Sequence, residues 1–447
     1  MKWFLNDELL KQNPSLKPRR PLEQRLAQRP AVRARLHQLA ATLDESVGDD
    51  PTADQAEERV TEQVRRLALE VLGQWAREAN AHTQAQVMTH HPEASHHGKK
   101  KTLNWQTTFG WVSVAEAQWR LGRRGKLLRP FCERAGVRPR GRSRRLQRAL
   151  VDFGAEESFA RATARVQEHD GLDVAAEIVR QQTLAHGAQV SALQVPPPQS
   201  SAATLVTQLD GCLIPIVVPP TTGADRRRGK QLLGREARLC LARPQDSVTP
   251  RYGATLGSVA LTGALWRDTA LAAGLGERTH GHGVGDGAEW ILTQFQEQFG
   301  DQGGYLVAFY HVSEYLAAAA LVIQSKDPQG WRRRPQGRLL ENKVTAVLRA
   351  LTAHLEPEGI SPAPVRAAHR YVSQRRHHLD YAGARAAELC IGSGEIESGH
   401  RHVIQQRRKL AGSWGQEPSA EAMLGLRVAR AKNLWHRYWS VTQSALN

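Results

Sequence analysis

The chain has 447 residues, 40% hydrophobic and 23% charged, enough for two to four domains at about 100–200 residues each and for a large core. No apolar run is long enough to span a membrane, the N-terminus lacks the apolar core of a signal peptide, and the four cysteines (Cys132, Cys212, Cys240, Cys390) form no CxxC pair. These features argue against a membrane protein, an exported disulfide scaffold and a zinc ribbon, and fit a cytoplasmic protein. Lys plus Arg number 61 against 44 Asp plus Glu, a net charge of +17. Between residues 98 and 149 stand 15 basic residues and two acids, Glu116 and Glu133, so +13 of that charge lies in 52 residues. A solvated basic face is the alternative for any single cluster, but a block this lopsided favours a polyanion, nucleic acid above all.

Residues 1–97 read as a mainly helical region. The first 54 are polar, with the prolines of "NPSLKPRRP" and the acidic "DESVGDD", and partial helix with loose packing is expected there. Residues 54–87 carry Val60, Val64, Leu67, Val71, Leu72 and Trp75 at helical spacing and predict one long amphipathic helix, of the core or of an oligomer contact. The four histidines of "THHPEASHHGKKK" lack cysteine or carboxylate partners, and the segment reads as a polar linker rather than a metal site.

Residues 98–190 read as a basic DNA-binding region. A β-hairpin around Gly110 (residues 102–122) leads into the basic block, where Lys99, Lys100, Lys101, Arg142, Arg144 and Arg145 are the candidate phosphate contacts. Residues 143–187 predict a helix, a break at Gly154, a helix, a break at Gly171 and a third helix. The spacing suits a helix-turn-helix with "DVAAEIVRQQTLAHG" as recognition helix, or an ordinary helical hairpin; the adjacent basic block tips the reading towards DNA. "SALQVPPPQSSAA" (191–203) is a linker.

From residue 204 onward the texture is α/β. "ATLVTQLDGCLIPIVVP", "EARLCLARP" and "RYGATLGSVAL" predict strands, "LWRDTALAAGL" a helix, "HGHGVGDGA" a strand ending at Asp286, and "EWILTQFQEQFG" a helix. "GGYLVAFYHVSEYLAAAALVIQ" is a strand running into a helix, a polar and mainly helical stretch follows, and "SAEAMLGLRVARAKNLWHRYW" is a closing amphipathic helix. Three acids stand out. Asp210 lies in an apolar strand, where a carboxylate is costly unless neutralised. Asp286 stands between glycines at a strand end, where a turn or helix cap is the alternative. Glu397 opens a helix after "GSG", while Glu395 reads as a helix-start acid favoured by the dipole. Carboxylates meeting at one sheet edge form an all-oxygen site suited to Mg²⁺ or Mn²⁺ and to phosphodiester displacement. His400, Arg401, Arg407 and Arg408 follow Glu397 on the same basic helix and are placed to touch backbone phosphate.

The segments "HHGKKKTLNWQTTFGWVSVAEAQWR", "GRSRRLQRALVDFGAEESFARA", "LDGCLIPIV", "VGDGAEWI", "FYHVSEYLAAAA", "IGSGEIESGHRHVIQQRRKLAGSW" and "LGLRVARAKNLWHRYW" together resemble the ISKra-type insertion-sequence transposases of the Mutator-like DDE group, from about residue 55 to the end. The resemblance implies a multidomain α+β protein: a helix-turn-helix DNA-binding region, then a ribonuclease-H-like catalytic domain over 204–447 with a helical insertion at about 325–387. It implies Mg²⁺-dependent (or Mn²⁺-dependent) cleavage at the element's terminal inverted repeats and strand transfer into target DNA. It also implies a homodimer or higher homo-oligomer and a nucleoid-associated location in a bacterial cytoplasm. Carried over by motif, Asp210, Asp286 and Glu397 are the catalytic and metal-holding triad, with His311, Glu314 and His400 as accessory residues. The chain departs from the family at Ala308, where relatives carry the acid of aspartate-x-x-histidine; His311 keeps the histidine. It also has Cys390 where proline is frequent and Gly415 where a second tryptophan is common. The competing readings are a catalytically dead or domesticated relative that only binds DNA, and a ribonuclease-H-like nuclease or resolvase without strand transfer.

Overall fold

The computed structural model describes residues 21–48, 52–123, 125–191, 193, 198, 200–220, 229–411 and 414–441. The chain is an α+β fold with mixed sheets, in two units. Residues 1–149, 165–174 and 443–447 make the first, and residues 150–164 and 175–442 the second. Among the described residues no helix is long and apolar enough to cross a membrane.

In the first unit, α1 (Leu22–Ala27) and α2 (Pro30–Gly48) precede the expected long helix, α3 (Ala53–His90). The partial helix is found over residues 30–48: α2 lies along α3, with Val32 and Thr42 buried and its other described side chains exposed or half-buried, and Arg29 just before it reaches Glu78 at 2.7 Å. The remainder of that stretch, residues 1–20 and 49–51, lies outside the described residues. Thr52 starts α3 with a capping box, its hydroxyl accepting from the Gln55 N–H while the Gln55 side chain accepts from the Thr52 N–H. After β1 (Ala94–His96), the hairpin forms from β2 (Lys101–Thr107) and β3 (Gly110–Glu116), paired from Lys101↔Glu116 to Thr107↔Gly110. Its inward residues Leu103, Trp105, Val112 and Val114 are buried with Ala76 of α3. β4 (Trp119–Leu121) and β5 (Leu127–Leu128) pair with each other, and β4 with β1. Glu116 is fully buried at the start of α4 (Pro130–Ala135). It accepts from the Phe131 and Cys132 N–H groups and from Arg129 Nε, each at 3.0 Å. One of the two acids in the basic block is thereby withdrawn from the surface.

α5 (Arg144–Glu156) and α6 (Phe159–Asp170) each contribute residues to both units, and α7 (Ala176–Val190) belongs to the second. The expected break at Gly154 is absent, since α5 continues to Glu156. Gly154 serves close packing instead: a Cβ there would stand 2.2 Å from Thr183 Oγ1 of α7.

The second unit is built on a five-stranded sheet in the order β10-β9-β6-β7-β8. β6 (Thr204–Val218) and β7 (Gln231–Pro244) form a long antiparallel ribbon, and β8 (Arg251–Thr255) runs antiparallel to β7. The strand expected through "GSVAL" stops at Thr255, because Ser258 accepts from the Leu261 N–H and starts α8 (Val259–Ala273). β9 (His280–Gly285) lies parallel to β6, α9 (Glu289–Phe299) follows, and β10 (Gly303–Val307) lies parallel to β9. Alternation along β7 divides the interior: Cys240 and Ala242 pack with Trp266 of α8 and Phe295 of α9, whereas Ala237, Leu239 and Leu241 face the opposite layer.

That opposite layer comes from the end of the chain. α10 (Phe309–Ile323) leads through α11 (Pro328–Leu340), α12 (Val344–Thr352), α13 (Pro364–Gln374) and α14 (Tyr381–Ala386) to α15 (Gly394–Gly399). The helix widens into a π turn at His400–Gln405, tightens again in α16 (Gln406–Arg408), and is followed by α17 (Glu417–Ala431) and α18 (Trp435–Val441). Ile396, Val403, Ile404 and Leu424 of these segments cover β6 and β7. The candidate recognition helix α7 is built into the same unit: Val179, Thr183, His186, Gly187 and Val190 are buried, and it packs on α17. A Cβ on Gly187 would meet the Ala422 carbonyl at 2.3 Å, so the two backbones approach closely. The linker expected at 191–203 falls within this unit, with most of its proline run outside the described residues.

Candidate active site

Asp210 lies on β6, and Asp286 immediately follows β9, the parallel neighbour of β6. The β6–β9 pairing runs to Thr207↔Gly283, and each acid stands three residues beyond that pair. The β10–β9 pairing runs to Val307↔Gly285, and the Ala308 N–H donates to the Gly285 carbonyl at 2.7 Å. Position 308, where the resemblance implies an acid, therefore follows the last pair of β10 as Asp286 follows that of β9, and its alanine is fully buried.

Glu397 is carried by α15. Gln208 precedes Asp210 by two residues on the same face of β6, and its Oε1 accepts from the Ile396 N–H at 2.9 Å, with Nε2 donating to the Gly392 carbonyl at 3.4 Å. The helix bearing Glu397 is thus fastened beside Asp210. One turn later, at the start of the π turn, His400 is buried with Nε2 3.3 Å from Asp210 Oδ2. This is a contact between charges rather than an aligned hydrogen bond. Burial disfavours the imidazolium, but Asp210 and the nearby Cys212 outweigh it and raise the His400 pKa to about 9. At neutral pH His400 is a cation facing Asp210. Neither the π widening nor this pairing is readable from helical periodicity.

Each of the three carboxylates has its own partner. Asp286 Oδ1 accepts from the Ala288 N–H at 2.8 Å, an Asx turn leading into α9. Glu397 is exposed, and its Oε1 accepts from the Ser393 hydroxyl at 3.1 Å. Glu395 is not simply a helix-start acid: it receives a two-pronged bond from Arg243 of β7, at 2.8 and 2.5 Å.

Beside Asp286 opens a cavity of about 450 Å³ lined by His311, Glu314, Tyr315, Tyr371 and Arg375. His311 Nδ1 is 3.7 Å from Glu314 Oε2, and both lie on α10. Tyr371 and Arg375 come from α13 and the turn after it, within the helical stretch expected only as an insertion. Tyr371 donates to the Asp286 carbonyl, Arg375 Nε donates to the Gly287 carbonyl at 2.8 Å, and the guanidinium lies 4.1 Å from the Tyr371 ring. Together they hold the turn that presents Asp286. Tyr305 of β10 is buried with no partner for its hydroxyl; burial and the charges of Asp286 and Asp210 push its pKa up. The sequence marks Tyr305, Tyr371 and Arg375 only as a strand aromatic and two residues of a polar helix.

The donors of Asp210, Asp286 and Glu397 are all oxygen, which suits Mg²⁺ or Mn²⁺ chemically. Their spacing does not make a ligand set: among the described residues no three His, Cys, Asp or Glu side chains lie close enough together to hold a metal ion. A cation does not fit these carboxylates as they stand.

The candidate DNA contacts fall into two groups. Lys99, Lys100, Lys101, Arg145 and Arg401 are exposed, whereas Arg142 and Arg144 are partly buried. Burial lowers the Arg142 pKa. Arg407 and Arg408 differ from expectation: they are 1% and 3% exposed, and they stand four residues after the buried Val403 and Ile404, on the same buried face of the helix. They do not stand on a surface that a duplex could touch.

No protein-family model matches the chain, and no curated protein matches it.

Proposed function

We propose that the chain is a DNA transposase of the DDE type, which binds the ends of an insertion sequence and cleaves and joins DNA strands with Asp210, Asp286 and Glu397 as its acidic triad. One observation carries the reading: Asp210 on β6 and Asp286 immediately after β9 each stand three residues beyond the last pair of two adjacent parallel strands, and the helix bearing Glu397 is tied to β6 by Gln208. The sheet supports it too. Three antiparallel strands followed by two parallel ones, with the first strand central, is the arrangement expected of a ribonuclease-H-like domain. The basic first unit supports DNA as the partner. Binding of Mg²⁺ or Mn²⁺ by the triad requires the carboxylates to close together, with Asp210 released from or shared with His400.

The test is incubation of the full chain with DNA carrying the element's ends, with and without Mg²⁺. Metal-dependent nicks and joined products are expected, lost to background in Asp210→Ala, Asp286→Ala and Glu397→Ala while DNA binding persists. A second reading, a DNA-binding relative without catalysis, is favoured by the open carboxylates and by Ala308. It predicts retained binding with no cleavage by the native chain under any metal, and cleavage gained in Ala308→Asp would place the fault at that position. Cleaved ends without joined product would indicate a nuclease or resolvase.

A further inference from the structure

Arg407 and Arg408 are neighbouring and buried, and neither makes an ion pair with a carboxylate among the described residues. Arg407 Nε donates to the Gly154 carbonyl at 3.1 Å, and its guanidinium lies 4.9 Å from the Phe159 ring, yet Nη1 is buried with no acceptor. Arg408 reaches the Pro215 carbonyl only at 3.5 Å, and its Nε is likewise buried and unpartnered. Glu156, the acid whose charge acts on Arg407, already pairs with Arg427 and Arg430. Burial, together with Arg408 and Arg427, lowers the Arg407 pKa to about 10, and burial lowers that of Arg408. Two adjacent buried cations with idle donors are costly unless an anion offsets them.

Both arginines line a pocket of about 570 Å³ within the second unit, and no described residue lining it is an acid. Lys230 adds a cation at the rim; Arg180, also there, is held by Glu177 at 2.7 Å. Gln416 and Ser419, at the start of the 15-residue α17, turn the positive end of that helix towards the same space. Apolar walls from Leu184 and Met423 and the half-exposed Trp414 complete it.

We propose that this pocket is a binding site for a phosphate group, held by Arg407 and Arg408, with Trp414 available to a planar group attached to that phosphate. None of Asp210, Asp286 or Glu397 lines it, so the inference stands apart from the carboxylate reading. The phosphate comes either from the end of a DNA strand or from a free phosphate in solution, and both use the same donors.

Calorimetric titration and thermal unfolding of the full chain test this, using inorganic phosphate against sodium chloride at equal ionic strength. A second arm uses one oligonucleotide with either a 5′-phosphate or a 5′-hydroxyl. Phosphate is expected to raise the melting temperature of the native chain, and Arg408→Gln or Arg407→Met to remove that rise, with circular dichroism showing each variant folded. Arg180→Gln should retain it. If the source is a strand end, the 5′-phosphorylated oligonucleotide binds about tenfold tighter than its hydroxyl twin, and Arg408→Gln erases the difference. If the source is free phosphate, inorganic phosphate binds and the two oligonucleotides are equal. No phosphate effect in the native chain in either arm, or an effect unchanged in both arginine variants, overturns the proposal. Neither readout involves a metal or strand cleavage, so this result is independent of the transposase reading.

Discussion

Glu395 and Glu397 are two residues apart on one short helix and have different surroundings. Glu395 is locked to Arg243, which is largely buried, so Glu395→Ala leaves that cation its backbone carbonyl acceptors but no carboxylate. It should lower stability by about 1–2 kcal/mol in urea unfolding. Glu397 is exposed and its carboxylate accepts from the Ser393 hydroxyl, so Glu397→Gln should leave the urea midpoint unchanged while removing strand cleavage if the proposed triad operates. The pair was half legible: acids after "GSG" mark a helix start, but an arginine 152 residues earlier is a tertiary partner that no local pattern reveals. His186 gives a second residue-scale expectation. It is buried on α7 with Nδ1 2.7 Å from the Tyr438 hydroxyl, and burial lowers its pKa to about 4. Its folded pKa lies below its unfolded value, so the neutral form belongs to the folded chain. The stability it confers is fully present above pH 6.5 and is lost as pH falls towards 4. Between pH 7 and pH 5 the loss should be about 2 kcal/mol, and His186→Asn should flatten that part of the urea-midpoint profile.

Among elements, the strands were the most readable because their chemistry is local. "LDG" in an apolar run and "GDGA" before a helix place Asp210 and Asp286 on the observed β6 and at the end of β9. Their like distance beyond the last β6–β9 pair was not readable, since it depends on the register of two strands more than 60 residues apart, nor was the place of Ala308 just after the last pair of β10. The insertion helices were read as helical, but not as the clamp on Asp286 formed by Tyr371 and Arg375. Tyr371→Phe removes the bond to the Asp286 carbonyl and should cost about 1 kcal/mol in urea unfolding. α7, the candidate recognition helix, presses one face against α17 through Gly187, while Glu177, Gln181 and Gln189 are exposed. Gly187→Val should destabilise the chain by about 2–3 kcal/mol, read from the urea midpoint, because the obstruction is backbone that cannot swing aside. The basic helix after Glu397 fails as a surface reading at its C-terminal end. Arg407 and Arg408 stand four residues after the buried Val403 and Ile404, so the buried face of the helix continues through two arginines, and reading them by charge alone puts them at the surface.

For the whole molecule, charge is the property the sequence states most directly. With Glu116 buried in the first unit, the exposed Lys99, Lys100 and Lys101 stand in a strongly basic stretch. If these lysines meet DNA phosphates as proposed, replacing all three with alanine should weaken binding across sequences. The slope of log affinity against log salt should flatten by about 2–3 units, measured by fluorescence anisotropy.

The second unit is discontinuous in the chain, with residues 150–164 and α7 belonging to a core completed by α17 and α18. Val151, Ala155 and Val190 share one buried apolar cluster with Leu426, Ala429, Leu434, Tyr438 and Trp439. During synthesis that surface therefore waits uncovered for some 230 residues of translation, at about 5–20 residues per second, before its cover leaves the ribosome. The interval of roughly ten to fifty seconds is a window for chaperone capture or aggregation. Any fragment that begins after the proline-rich stretch carries the reverse defect, a C-terminal helix pair with its apolar seat missing.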